Sequence, residues 1–194
     1  MHASIVSLSL ACLIVSLPAM AGAHHRAGTH RTADGSLSHA RATSVAGPKG
    51  HAAHGSRATL DSDGTLTRRS GSRVQGTNGG TWQAGHGVQR NPDGSMQAGY
   101  TASGQGAVGG SFSSQGSRTR TADGQGAASR QTTMSGARGS YAGSSSRGGG
   151  TLDHQSTLTG ADGNTYQGQT RYTKGQGVSH SGSCTNAQGQ TIQC

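Results

Sequence analysis

Glutamate is absent from this chain of 194 residues, and the sequence holds only two lysines, one phenylalanine and one tryptophan. Without glutamate, and with so little lysine and leucine, the residues that hold helices together are missing, which excludes a helical architecture beyond the first twenty residues. Large apolar side chains are just as scarce: beyond Ala23 there are nineteen, thirteen of them Val, Leu, Ile or Met, and the rest Trp82, Phe112 and four tyrosines. So few cannot fill a thick core. No apolar run beyond the first twenty residues is long enough to cross a membrane, which takes about 20 residues as a helix. The only acids are seven aspartates, five of them followed by glycine at turn-like sites, so the paired carboxylates of a hydrolytic centre are unsupported.

What is present is glycine, 35 residues of it, together with abundant serine and threonine and a formal charge of +9 carried mostly by arginine. Such a chain has two physical outcomes. One is disorder; the other is repeated strand pairing, in which main-chain hydrogen bonds and neighbouring units replace a core.

Residues Ala3 to Pro18 form a short apolar stretch, followed by Ala19-Met20-Ala21, a small-x-small site suited to signal peptidase. The expected reading is a cleaved signal peptide over 1–21 and a mature start at Gly22 or His24, with no transmembrane anchor left after cleavage. That predicts a bacterial-type exported protein, periplasmic or secreted. Two cysteines remain beyond it, Cys184 and Cys194, and an even pair in an oxidising compartment predicts a disulfide closing a hairpin around Gln188-Gly189.

The chain repeats. Asp-Gly pairs begin at Asp34, Asp63, Asp93 and Asp123, and Asp153 continues the series with His154 in place of glycine, at spacings of 29, 30, 30 and 30. A second register, Gly and a small polar residue before an aromatic, leads to Trp82, Phe112, Tyr141 and Tyr166, and an arginine follows each aromatic by five to eight residues, at Arg90, Arg118, Arg147 and Arg171. Asp-Gly is a hairpin signal, expected here as a type I′ turn with both central residues at positive φ. The predicted fold is all-β: antiparallel hairpins of about 30 residues per unit, as a meander or a solenoid-like sheet. Around Tyr166 the alternation predicts Tyr166, Thr170 and Tyr172 on one face and Gln167, Gln169 and Arg171 on the other. The expected organisation is a largely disordered N-terminal region with a His/Arg-containing segment at 22–56, hairpin repeats at 57–150, and C-terminal hairpins at 151–194 closed by the disulfide. Gly148 to Gly150 are read as a break between the last two.

Other motifs carry little. Gly104-Gln105-Gly106-Ala107-Val108-Gly109 matches a dinucleotide fingerprint, but no helical pattern follows it, so no nucleotide cofactor is expected. His24, His25, His30, His39, His51 and His54 crowd the mature N-terminus; they are read as solvated filler, with no defined metal site. The recurring Arg90, Arg118, Arg147 and Arg171 are candidate contacts for a polyanion such as lipopolysaccharide, acidic polysaccharide or nucleic acid.

In its exported tandem units rich in Gly, Gln, Asn and Ser the chain resembles the curlin-type subunits of bacterial surface fibres. It departs from them in its longer period, marked by Asp-Gly, aromatic and arginine, and no family membership is drawn. The functional expectation is a non-enzymatic exported repeat protein with a structural or surface-interaction role in the envelope or extracellular matrix, without a cofactor or small-molecule substrate and with polyanions or self-association as its partners; the alternative is a polyanion-binding module.

Overall fold

A computed structural model describes residues 22–194; the expected signal segment, 1–21, lies outside the described residues. Thirteen strands in chain order form one sheet, each strand antiparallel to the next: β1 Gly22–Arg31, β2 Leu37–Gly47, β3 Gly50–Leu60, β4 Leu66–Gly76, β5 Thr81–Arg90, β6 Met96–Gln105, β7 Ser111–Arg120, β8 Gly126–Gly136, β9 Gly139–Gly148, β10 Thr151–Gly160, β11 Thr165–Thr173, β12 Gly177–Thr185 and β13 Thr191–Ile192. The expected all-β hairpin repeat is therefore a meander. Each thirty-residue unit is two strands with a turn at either edge of the sheet.

Among the described residues nothing packs over the sheet. Among the described residues no hydrophobic side chain is buried, and Ser114 is the single buried polar one. The fold is carried by the main-chain ladder and by cross-strand side-chain pairs, which contribute about 0.2–1 kcal/mol each.

Twelve turns join the strands, and eight of them share one geometry. In Thr32-Ala33-Asp34-Gly35-Ser36, the Thr32 amide donates to the Ser36 carbonyl at 3.0 Å and the Gly35 amide to the Thr32 carbonyl at 3.1 Å; the same pair of bonds recurs at 61–65, 91–95 and 121–125 on that edge, and at 76–80, 106–110, 160–164 and 186–190 on the other. This is the three-residue hairpin loop, a type I turn followed by one left-handed residue. The expected type I′ geometry is thus corrected. The aspartate keeps a negative φ, as every non-glycine described residue does, and the glycine after it is left-handed, at φ between 77° and 89° in these eight turns; the 106–110 turn adds a second left-handed residue, Gly110, at φ 85°. One left-handed position suffices because the extra loop residue takes up the strand twist as a bulge.

The aspartate does other work in the turn. Its carboxylate accepts the amide of the residue two further on, at 3.1 Å from Ser36 to Asp34, 2.8 Å from Thr65 to Asp63 and 2.8 Å from Ser95 to Asp93. Asp34 and Asp123 also accept the hydroxyls of Thr32 and Thr121. These bonds hold the carboxyls below their ordinary value: for Asp34 and Asp123 chiefly the threonine hydroxyl, for Asp63 the Thr65 amide, for Asp93 the Ser95 side chain.

Three expectations fail here. Residues 22–56 are not a disordered segment but β1, β2 and the first part of β3, because strand pairing asks for alternation and small side chains, not for aromatics. Gly148 to Gly150 are not a break: Gly149 and Gly150, at φ 57° and 81°, make a type I′ turn between β9 and β10, a geometry that needs two left-handed residues in succession. Asp153 is not a turn residue either. It lies within β10, where it accepts Arg171 Nε at 2.5 Å, the only ion pair among the described residues.

The Cys184–Cys194 disulfide is present, with a Cα–Cα distance of 5.3 Å. It ties the end of the chain to β12 across the turn at Asn186–Gln190, where the short β13 pairs Ile192 with Cys184.

Two predictions follow from the turns. Gly94→Ala forces a Cβ into the left-handed region and lowers the unfolding free energy by about 1 kcal/mol, read from denaturant midpoints; an unchanged midpoint would contradict the assigned turn. Because the turn aspartates titrate below their ordinary value of 3.8 when folded, their contribution is complete at neutral pH and is lost as pH falls through those lowered values. Asn78, whose side-chain oxygen accepts the Gly80 amide at 3.2 Å, shows that asparagine fills this role without a charge. The triple variant Asp63→Asn, Asp93→Asn, Asp123→Asn therefore keeps its neutral-pH melting temperature and shows a shallower fall between pH 4 and 2 in a thermal melt series.

Candidate functional site

Alternation along each strand and the direct pairing between strands divide all strand residues into two faces. The division is sharp. Of the nineteen large apolar side chains beyond Ala23, Val108 lies in a turn, and the remaining eighteen all stand on one face. In register near the edge that carries the 76–80 and 106–110 turns, this face presents a rail interrupted only by Ala52 and Gly104: Val45 on β2, Val74 on β4, then Trp82, Phe112, Met134, Tyr141, Leu158 and Tyr166, ending at the disulfide and Ile192. Most of these side chains remain about half exposed, with Trp82 at 42% and Leu158 at 53%, whereas Phe112, Tyr141 and Tyr166 are more covered.

Glycine within the strands seats the rings. Gly104 lies between Trp82 and Phe112, its direct partners on either side. Tyr166 lies over Gly168 of its own strand and Gly182 of the next: a Cβ on Gly168 would meet Tyr166 Oη at 2.5 Å, and one on Gly182 would meet the ring at 2.9 Å. Tyr100 covers Gly116 in the same way. An aromatic laid over a bare backbone recovers contact area that a single-layer sheet otherwise lacks.

The middle of the face is polar. Six histidines stand here, and each bonds a hydroxyl on a neighbouring strand: His25 to Thr43 at 3.0 Å, His39 to Thr29 at 3.0 Å, His54 to Ser72 at 2.8 Å, His86 to Ser70 at 3.0 Å, His154 to Ser145 at 2.8 Å and His180 to Thr170 at 2.9 Å. Three of these belong to the N-terminal group expected to be filler. Buried Ser114 lies among them, bonded to Thr132 at 3.0 Å and to Tyr100 at 3.4 Å. Among the described residues no three His, Cys or Asp side chains are grouped so as to hold a metal ion.

Toward the Asp-Gly edge the same face becomes cationic. Eight of the fourteen arginines stand on it: Arg31, Arg41, Arg68, Arg90, Arg118, Arg120, Arg130 and Arg147. No aspartate does, because Asp153 is on the other face and the remaining six are in or beside turns. Of the four candidate arginines the structure brings three together. Arg90 is one strand-pair from Arg120 along a single rung through Met96, and Arg118 is joined to Arg147 through Ala128, each a separation of about 10 Å. Arg171 departs from them: it stands on the opposite face, its guanidinium held by Asp153.

The opposite face carries no large apolar side chain and is built of Ser, Thr, Gln, Gly and a few Ala, with His24, His30, His51, Asp153, Arg26, Arg57, Arg69, Arg73 and Arg171. The shallow troughs of the surface lie there, lined by residues such as Gln97, Gln115, Gln131 and Gln155. The glycine-rich 104–109 motif is a hairpin turn between two strands, with no helix end to receive a phosphate. Searches against protein-family models, curated proteins and solved structures return no match for the chain.

The ring seats yield a prediction. Gly168→Ala displaces Tyr166 and lowers the unfolding free energy by about 1 kcal/mol, with a changed near-ultraviolet tyrosine signal. Gly28→Ala, where an added Cβ meets nothing within 4 Å, produces neither effect. Equal losses in both variants would show that the ring is not seated on Gly168.

Proposed function

We propose that the protein is an exported, non-enzymatic repeat protein whose work is done by a surface, in a structural or surface-interaction role in the bacterial envelope or extracellular matrix. One observation carries this: a sheet one layer thick keeps all eighteen large apolar strand side chains on one face, which no other described residue covers. Soluble monomers rarely tolerate an apolar patch of this extent unless something binds it. Enzymatic chemistry asks for groups converging in a site that excludes water. The hydroxyls and imidazoles here are instead spread along the sheet in cross-strand pairs, which supports a binding surface over a catalytic one.

A second reading, capture of polyanions, is favoured by the eight arginines that share this face with no carboxylate. It is narrower than the expectation from sequence, since Arg171 is spent on Asp153.

Export is tested by expressing the full chain in a Gram-negative host, fractionating the cells and sequencing the N-terminus. The expected product is periplasmic or extracellular and begins at Gly22 or His24; an uncleaved cytoplasmic product would overturn the proposal. For the second reading, heparin affinity should fall steeply between 50 and 200 mM salt and weaken in the Arg90→Ala, Arg118→Ala, Arg147→Ala variant. Arg171→Ala should retain it, and absence of binding at low salt would remove this reading.

A further inference from the structure

We infer that the apolar and cationic face is a docking surface for an anionic lipid bilayer, with the arginine half at the headgroup phosphates and the aromatic rail at the boundary with the acyl chains. This rests on the surface-interaction reading above and names its partner.

Size alone admits several occupants. Strands of ten residues span about 34 Å, and a dozen of them about 55 Å across, so the face exceeds the roughly 800 Å² per partner of a standard protein interface. A second copy, face to face, would have room. Charge excludes it. Stacking two such faces would set eight arginines against eight more with no acid on either side, and would strip them of water. A purely anionic polymer meets the opposite difficulty: it satisfies Arg90, Arg118 and Arg147 but leaves the rail of Trp82, Phe112 and Tyr141 uncovered. The occupant that answers both halves is anionic and apolar in one object, which is the surface of a membrane containing acidic lipids.

The pattern of residues fits this surface in detail. Apolar side chains and arginines are interspersed along the Asp-Gly edge: Arg31, Leu37, Leu60, Leu66, Arg90, Met96 and Arg120 occupy one rung in that order. An arginine lays its stem along apolar neighbours while its guanidinium reaches a phosphate and donates two parallel hydrogen bonds to its oxygens. Tyrosine and tryptophan, which supply Trp82, Tyr141 and Tyr166 on the opposite rail, are the residues that settle at the level between headgroup and hydrocarbon. The other face holds no large apolar side chain at all, so the sheet has one side for lipid and one for water.

Trp82, the only tryptophan, stands on the rail and serves as the native reporter. The disulfide-intact chain 22–194 is titrated with vesicles of phosphatidylglycerol and phosphatidylcholine, with pure phosphatidylcholine vesicles, and with heparin and short duplex DNA. The expected result is a blue shift of Trp82 emission on anionic vesicles, quenched by lipids brominated near the headgroup, and no shift on neutral vesicles or on either polymer. Vesicle partitioning should fall about fivefold for each arginine removed, about a hundredfold for Arg90→Ala, Arg118→Ala, Arg147→Ala together. Arg69→Ala with Arg73→Ala, on the polar face, leaves it unchanged. Circular dichroism confirms that each variant keeps its strand signal. Absence of any shift on anionic vesicles, or an equal shift on heparin, overturns the inference in favour of no partner here or of a polyanion; an equal loss from the polar-face pair shows general electrostatics with no defined face. A chain that is exported but ignores lipid leaves the broader reading standing, whereas a chain that binds lipid but stays in the cytoplasm defeats that reading alone.

Discussion

Everything in this molecule depends on the main-chain ladder being returned on itself every fifteen residues. With no second layer among the described residues, each strand is held by its two neighbours, so the turn that delivers the next strand in register is also the element that keeps the previous one folded. A slip of one residue at any turn would move an entire strand's apolar side chains to the wrong face. The three-residue loop prevents this by two cheap devices: a glycine in the one left-handed position, and an aspartate or asparagine whose side chain satisfies the amide that the bulge leaves without a ladder partner. Both are local, so the same solution repeats along the sheet without long-range agreement.

Much of this was legible in the residues. The Asp-Gly, aromatic and arginine registers share a period because thirty residues is two strands and two turns, after which a residue returns to the same rung of the same face. What hid the second set of turns is chemistry: on the far edge the residue before glycine is Asn78, Val108 or Gln188 as well as Asp162, so an Asp-Gly pattern finds only one of these four. Glycine alone would have found them, since Gly64, Gly79, Gly94, Gly109 and Gly124 recur every fifteen residues. The N-terminal strands were missed for a related reason. Aromatics mark strands where they occur, but β1 to β3 alternate Ala, Thr, Ser and His around only Leu37, Val45 and Leu60, and pairing with β4 supplies what composition does not.

The site was legible in its residues but not in its geometry, and the difference is parity. Arg90, Arg118 and Arg147 lie eight, six and six residues after their aromatics, an even count that returns them to the same face; Arg171 lies five after Tyr166 and is carried to the other. A period measured to within a residue or two finds a repeat. Only an exact even or odd count assigns a face, and in a sheet the face decides whether a cation joins its fellows or finds Asp153.

The placement of the arginines also opposes association of such a sheet with itself. An uncovered apolar face and two open edges are the ingredients of stacking and edge-to-edge pairing. Moving the charge to the polar face would leave the apolar side free to pair with another copy; placing acids beside the arginines would let two copies neutralise each other in an offset stack. Arginine without acid, on the apolar side, blocks both. It also leaves that side matched to a partner that brings negative charge and hydrocarbon together. Solubility and recognition are in this reading one property of eight side chains, so a substitution that makes the face stickier to itself also makes it less selective for its partner.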